Sequence, residues 1–281
     1  MNLGYACINM NFSSLPKSQR ITTNRSMIKR TFAARGLPYA SELALANSRD
    51  LLKILQWNEQ HNIRFFRVSS DIFPWASEYE LAQLPDFEAI CDALQDAGDF
   101  IKEHNHRITS HPGPFNKLTS PRESVVVNTI RDLTVHGQLF DMLGLSRTPY
   151  NKLNIHVGAH YNDRQMALAN FCRNFERLPE SVRSRLTVEN DDKASLYSTK
   201  ELYDEVYERI GIPIVHDVHH HKFVVHYSQS RSVEHNDPKI RGNAHSDSYW
   251  EPVDTYGLDI DVMLECKHKE VGLFKMRELL A

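Results

Sequence analysis

Short apolar segments alternate with longer amphipathic segments along the chain. The short segments are rich in Ile, Val, Leu and Phe, which is typical of strands buried in a parallel sheet. They predict strands at residues 3–8, 65–69, 107–110, 153–157, 186–188, 213–215, 223–227 and 261–264. Apolar residues at helical spacing predict helices at residues 41–62, 87–104, 123–143, 164–178 and 199–210. Eight strands that alternate with helices indicate an α/β fold, a TIM (β/α)8 barrel formed as a single domain over residues 1–281.

Length, charge and cysteine content agree with this architecture. A chain of 281 residues fits one barrel of about 250 residues without a second domain. The formal net charge of −3 excludes a broadly basic coat for nucleic acid, but DNA stays open as a partner because bound cations would add positive charge. The four cysteines lie far apart, which argues against a disulfide framework and suits a reducing cytosol. Neither a signal peptide nor a membrane-length apolar run is recognisable, so we expect a soluble, intracellular protein.

Side chains of types that bind metals lie at the C-terminal edges of six consecutive predicted strands. They are His111, His156, Glu189, Asp217, His226 and Glu265. In a barrel the C-terminal ends of the strands meet on one face, where barrel enzymes keep their active sites. Any one of these residues alone is more often structural, whereas six at equivalent positions favour a shared site. Imidazoles and carboxylates suit zinc and manganese, so the sequence predicts a divalent metal site at this face.

Short motifs occur in a fixed order along nearly the whole chain. They are Leu3-Gly4-Tyr5 with Asn9, Thr23-Asn24-Arg25, His111-Pro112-Gly113, His156-Val157-Gly158, Glu189-Asn190-Asp191, Asp217 with His220, His226, Gly242-Asn243-Ala244-His245 and Glu265-Cys266-Lys267-His268-Lys269-Glu270. In this combination the chain resembles the UV damage endonucleases. The resemblance implies a xylose-isomerase-like TIM barrel, related to the apurinic endonucleases of the endonuclease IV type. It also implies an enzyme that nicks DNA immediately 5′ to UV photoproducts and some other lesions, by means of a metal-activated water.

The resemblance assigns ligands to two or three divalent ions. The implied ligands are His111, His156 and Glu189 for one ion, Glu189 with Asp217, His226 and Glu265 for a second, and His220 with His245 for a third. Glu189, Asp217 and His226 would be the catalytic members of this set. Family resemblance favours Mn²⁺, and the ligand types fit Zn²⁺ equally well.

The resemblance also assigns residues to DNA. Tyr5 and Asn9 match family residues near the displaced lesion, where Tyr5 would stack on a base. Arg25 lies in a long basic loop (residues 13–38) that either grips phosphates or is simply solvated.

Many family members follow His-Pro-Gly with Gln and Tyr, which fill the gap left by the displaced dinucleotide. This chain has Pro114 and Phe115 instead, so Phe115 can stack while Pro114 cannot hydrogen-bond to the orphaned bases. The implied partner is double-stranded DNA carrying lesions, bound by a monomer in the cytoplasm, at the nucleoid.

Two other functions fit the same pattern. Metal-dependent sugar isomerases and epimerases share the barrel and its His, Asp and Glu ligands, but they need a polar sugar pocket and no DNA-gripping loops. A non-catalytic module that binds damaged DNA would share the fold, although it has no evident need for a full ligand set.

The connection between the sixth and seventh predicted strands is short. Parallel neighbours need a crossover of about a dozen residues or more, and the residues between His219 and Val224 are too few for a helix. Either a crossover segment is missing from the sequence at this point, which predicts a backbone break there, or the protein lacks the sixth crossover helix. We expect the first.

Overall fold

The computed structural model describes residues 2–191, 195–217, 226–242, 244–255, 257 and 260–281, and the backbone alone of residue 226. Every predicted strand has a counterpart in this structure. The observed strands are β1 Leu3–Ala6, β2 Phe65–Val68, β3 Arg107–Ser110, β4 Leu153–His156, β5 Leu186–Glu189, β6 Ile214–Val215, β7 His226–Tyr227 and β8 Val262–Leu264. They form one sheet in the order β6-β5-β4-β3-β2-β1-β8-β7. Each neighbouring pair is parallel, so the prediction of an α/β barrel is confirmed.

Residues 218–225 lie between β6 and β7 along the chain. These residues lie outside the described part of the chain, and the predicted backbone break between His219 and Val224 falls among them. That prediction therefore stays a prediction. Residues 226 and 227 pair in parallel with Met263 and Leu264 of β8, which places the end of the seventh predicted strand inside the sheet.

Helices connect the strands. They are α1 Met10–Ser13, α2 Lys29–Gln60, α3 Phe87–Glu103, α4 Glu123–Met142, α5 Arg164–Phe175, α6 Glu180–Arg183, α7 Thr199–Leu202, α8 Glu208–Ile210, α9 Arg231–Glu234 and α10 Lys269–Leu280. A π-helical stretch, Tyr203–Tyr207, joins α7 to α8, so the predicted helix over 199–210 is helical throughout but not α-helical throughout. Gly211 ends it in the left-handed region, with φ +67°.

Helix α2 begins earlier than its apolar pattern predicts. It consists of two helical pieces separated at Gly36, whose φ of +61° interrupts the helix, and Pro38 lies in the first turn of the second piece, where a proline is tolerated. The second piece buries Leu51, Ile54 and Leu55 completely against the sheet and its neighbours. The first piece has few apolar residues, which is why periodicity did not reveal it.

The barrel and its helices share one main hydrophobic core, which includes fully buried residues of the strands and of α2, α3 and α4. In the part of the chain that the structure describes, every helix is too short or too polar to cross a membrane.

Candidate metal centre

Three predicted ligands meet at the C-terminal ends of β3, β4 and β5. His111 directly follows β3, while His156 and Glu189 are the last residues of β4 and β5 and are register partners. His111 Nε2 lies 2.9 Å from Glu189 Oε1, and His156 Nε2 lies 3.0 Å from the same oxygen. Ligand atoms of all three residues lie within 4.8 Å of one another. Two imidazole nitrogens and a carboxylate oxygen that converge on one point fit Zn²⁺ or Mn²⁺.

The centre carries an excess of negative charge. Burial opposes protonation of His156, but its hydrogen bond to Glu189 and the charges of Glu189, Asp191 and Asp217 outweigh burial and raise its pKa to about 9. Glu189 is 2% exposed, so solvent screens its charge little. A site of this kind favours a cation, whether a proton or a metal ion.

Asp217 is held near this centre by a side chain that the sequence analysis assigned no role. The backbone N–H of Asp217 donates to Asn190 Oδ1 at 2.8 Å, and Asn190 Nδ2 donates to the carbonyl oxygen of Asp217 at 3.1 Å. Both residues are buried. Asn190 directly follows Glu189 in the chain, so one pair of reciprocal hydrogen bonds fixes the loop after β6 against the loop after β5.

Glu265 and His245 lie on the same face of the barrel. Glu265 follows β8, and its Oε1 accepts a hydrogen bond from the largely buried guanidinium of Arg67 in β2. Its Oε2 lies 3.9 Å from His245 Nε2. Burial of Arg67 opposes its charge, but the charges of Glu265 and Glu189 contribute to a net rise in its pKa. Arg67 is therefore a counter-charge to both glutamates, which the strand-end pattern could not reveal.

The side chains of two predicted ligands lie outside the described part of the chain, and the ligand role of every predicted residue stays a prediction. His220 lies outside the described residues. His226 has its backbone in β7, opposite Met263, but its side chain lies outside the description. The arrangement of two or three ions stays a prediction.

In this structure Tyr5 and Asn9 are buried, and their predicted contact with a displaced base stays a prediction. Tyr5 is fully buried, and its hydroxyl donates to Asn58 Oδ1 at 2.7 Å. Asn9 is 1% exposed; its Nδ2 donates to the Tyr5 hydroxyl at 3.0 Å, and its Oδ1 caps α1 by accepting from the backbone N–H of Phe12. In this structure neither side chain has surface to offer a base.

Arg25 anchors its own loop. Its guanidinium pairs with Asp50 of α2 at 2.6 Å and donates to the carbonyl oxygens of Thr22 and Arg20. Asn47 of α2 bonds to both the N–H and the carbonyl oxygen of Arg25. The predicted phosphate contact of Arg25 stays a prediction, and in this structure its guanidinium is bonded within the protein.

Phe115 and Pro114 project from the loop after β3. Phe115 is 89% exposed, as a side chain that inserts between bases would be. Both residues line a cavity of about 560 Å³, together with Asp132 and His136 of α4. In the same loop, the ammonium group of Lys117 occupies the space that a Cβ on Gly158 would need. Lys117, which the sequence analysis missed, thus lies over the loop two residues beyond His156.

These features define an α/β-barrel protein with a cluster of imidazoles and carboxylates at the C-terminal mouth of the barrel. The family described as UV-endonuclease UvdE matches residues 1–255. The chain belongs to this family.

Named relatives agree with this assignment. The UV-damage endonuclease of Schizosaccharomyces pombe is 32% identical over 98% of this chain and 50% of the relative. That of Neurospora crassa is 34% identical over 86% of this chain and 41% of the relative. The putative UV-damage endonuclease of Acanthamoeba polyphaga mimivirus is 31% identical over 98% of this chain and 90% of the relative. The chain spans half or less of the length of the two fungal proteins.

Solved structures show the same fold. SacUVDE superposes with a TM-score of 0.83 and 30% identity over 100% of this chain and 98% of its own. A D-tagatose 3-epimerase-like protein superposes with a TM-score of 0.56 and 11% identity over 100% and 96%, which shows a shared barrel alone.

Proposed function

We propose that this protein is a divalent-metal-dependent endonuclease that nicks double-stranded DNA on the 5′ side of UV photoproducts. The observation that carries the proposal is the meeting of His111 and His156 at one oxygen of Glu189, in a chain of the UV-endonuclease family. The ligand types fit Mn²⁺ and Zn²⁺ equally, and the family resemblance favours Mn²⁺. When bound, the ion would supply Lewis acidity for phosphodiester hydrolysis.

The protein's own residues would bind and orient this ion. His111 and His156 offer Nε2 atoms, and Glu189 offers Oε1 between them. Asp217 and Glu265 add negative charge at the same mouth, so that further cations can be held beside the first. Arg67 and Asn190 keep these two carboxylate-bearing segments in place.

DNA would lie across the mouth of the barrel. Phe115 would insert into the duplex at the lesion, where unstacking costs least. Lys117 would contact a phosphate close to the scissile bond, since it lies over the loop that follows His156. Exposed basic residues at the start of α2 (Lys29 and Arg30) and in the loop after α9 (Lys239 and Arg241) would neutralise further phosphates.

A nicking assay tests the proposal. UV-irradiated and unirradiated supercoiled plasmids are incubated with the protein and Mn²⁺, with and without chelator, and with Zn²⁺ in a parallel arm. We expect relaxation of irradiated plasmid only, abolished by chelator. An end-labelled duplex with one thymine dimer should be cut on its 5′ side.

Glu189→Gln should nick at least about a hundredfold more slowly, since it removes the charge at the centre. Glu88→Gln, at an exposed position of α3, is the matched control. Nicking that resists chelator, or a Glu189→Gln variant within tenfold of the parent, would contradict the proposal.

A further inference from the structure

A buried polar pair lies directly below the proposed metal centre. Asn154 of β4 and Thr187 of β5 are register partners, as are His156 and Glu189 two residues further along the same strands. Side chains two residues apart on a strand point to the same side, so all four enter the barrel interior. Asn154, Thr187 and Glu189 are each 2% exposed.

The hydrogen bonds of this layer run in one direction. Thr187 Oγ1 donates to Asn154 Oδ1 at 2.7 Å, and Asn154 Nδ2 donates to Glu189 Oε2. The carboxylate of Glu189 only accepts, so it fixes which end of the amide faces it, and the Thr187 hydroxyl stabilises this orientation by donating to the amide oxygen. A flipped amide would present its own oxygen to Glu189, and two acceptors would then face each other in a buried site, which is costly.

The two oxygens of Glu189 thus have different surroundings. Oε2 is turned towards the barrel interior and Asn154, while Oε1 is turned towards His111 and His156. The same division recurs at Glu265, whose Oε1 accepts from Arg67 and whose Oε2 faces His245. In both places a buried donor on the barrel wall holds one oxygen and turns the other towards the mouth.

We propose that Asn154, oriented by Thr187, is a positioning residue that presents Glu189 Oε1 to the metal ion. This inference rests on the metal centre proposed above. Hydrogen-bonded partners of metal ligands fix the ligand's orientation, and their loss typically lowers metal affinity about 10–100-fold. Rotation of the Glu189 carboxylate about its last bond would move Oε1 away from the two imidazoles, and the bond from Asn154 prevents this rotation.

Metal affinity of the unloaded full-length protein tests the role. Mn²⁺ binding is measured by calorimetry or by the EPR signal of free Mn²⁺, for the parent, Asn154→Leu, Thr187→Val and Thr187→Ser. Thr134→Val on α4, which removes a hydroxyl bonded to Ile130, is the control for loss of a threonine hydroxyl away from the centre. Thermal unfolding of the metal-free proteins is recorded alongside.

We expect Asn154→Leu to weaken Mn²⁺ binding about 10–100-fold. Thr187→Val should weaken it about fivefold, as loss of one buried hydrogen bond implies. Thr187→Ser and Thr134→Val should bind like the parent. If Asn154→Leu does not fold, the matched Thr187→Val and Thr187→Ser pair decides.

Two results would overturn the inference. Variants with lower thermal stability but parental Mn²⁺ affinity would show that the pair only packs the barrel. A parent that binds neither Mn²⁺ nor Zn²⁺ would show instead that the metal centre itself is wrong. The first result leaves the proposed function intact and the second does not, so the two failures are distinguishable.

Discussion

The hydroxyl of Tyr5 donates a hydrogen bond to Asn58 Oδ1 at 2.7 Å, in a part of the protein that solvent does not reach. Asn9 completes the arrangement by donating to the Tyr5 oxygen at 3.0 Å. Burial raises the pKa of Tyr5, so the hydroxyl keeps its proton and stays a donor. This network ties β1 and the start of α1 to α2.

Tyr5→Phe should therefore lower stability and leave lesion binding unchanged. Removal of the hydroxyl takes away the hydrogen-bond partner of buried polar atoms in Asn58 and Asn9. This costs about 1–3 kcal/mol of unfolding free energy. Urea unfolding measures the loss, and anisotropy with a lesion-bearing duplex measures binding. Tyr150→Phe, at a residue that is 52% exposed, is the control and should change neither quantity. Parental stability together with weakened lesion binding would restore the role of Tyr5 as a base-stacking residue.

Phe115→Ala should weaken binding to damaged DNA specifically. One aromatic–base stack is worth about 1–3 kcal/mol, and the exposed ring has little packing to lose within the protein. Binding is measured in the presence of chelator, with matched damaged and undamaged duplexes. Tyr203→Ala removes another exposed ring, 50% accessible on an outer helix, and should have no effect. An equal loss on both duplexes would mean that Phe115 shapes the loop and does not contact the lesion.

Lys117→Met and Arg25→Met should separate a phosphate contact from a loop anchor. If Lys117 neutralises one phosphate, its loss should reduce the slope of log K against log salt by about 1. Arg25→Met should leave the slope unchanged and lower thermal stability, because Arg25 is bonded to Asp50 and to loop carbonyls. Titrations of duplex DNA at several salt concentrations give the slopes. The reverse pattern, with Arg25 setting the slope and Lys117 leaving it unaltered, would exchange the two roles.

Sequence patterns located the strands, and placed three predicted ligands in one cluster, for a local reason. A strand buried in a parallel barrel is a short apolar run, and the polar residue at its end, such as His156 or Glu189, is adjacent in the chain. The side chain of Tyr5 is held by a hydrogen bond to Asn58, a residue 53 positions away. The side chain of Arg25 is held by an ion pair with Asp50. Neither pairing leaves a local pattern, because helix α2 supplies both partners only after it packs.

The same reasoning explains what was missed beneath the metal centre. The role of Asn154 depends on the register of β4 against β5, which apolar runs do not fix. In the sequence Arg67 is an ordinary polar residue of β2. Its role becomes visible only when β8 places Glu265 next to it. Functional residues at the ends of strands can thus be predicted from one segment of the sequence at a time. The residues that hold them in place can be identified only from the tertiary structure.

The acid dependence of stability should be traceable in part to Glu59, at the opposite end of the barrel from the metal centre. The hydrogen bond from Arg64 is the largest influence on its carboxylate; it exceeds the opposing effect of burial and, with His106, lowers the pKa of Glu59 from 4.5 to about 2. Arg64 Nη2 lies 2.6 Å from Glu59 Oε1, and His106 Nε2 lies 2.9 Å from Oε2. A depressed carboxyl pKa contributes stability above the ordinary value of 4.5, and this contribution is lost as the pH falls towards 2.

Glu59→Gln should therefore destabilise the protein at neutral pH by about 1 kcal/mol, a modest value because Arg64 is half exposed and solvent screens the pair. By pH 3 most of this difference in unfolding free energy should be gone, because the stability that the ionised carboxylate contributes to the parent is being lost there. Urea unfolding of metal-free protein at pH 7 and at pH 3 measures both values. Glu103→Gln, at a side chain 76% exposed, is the control and should show little difference at either pH. A Glu59→Gln penalty of the same size at both pH values would mean that the side chain stabilises by packing and hydrogen bonding alone, without its charge.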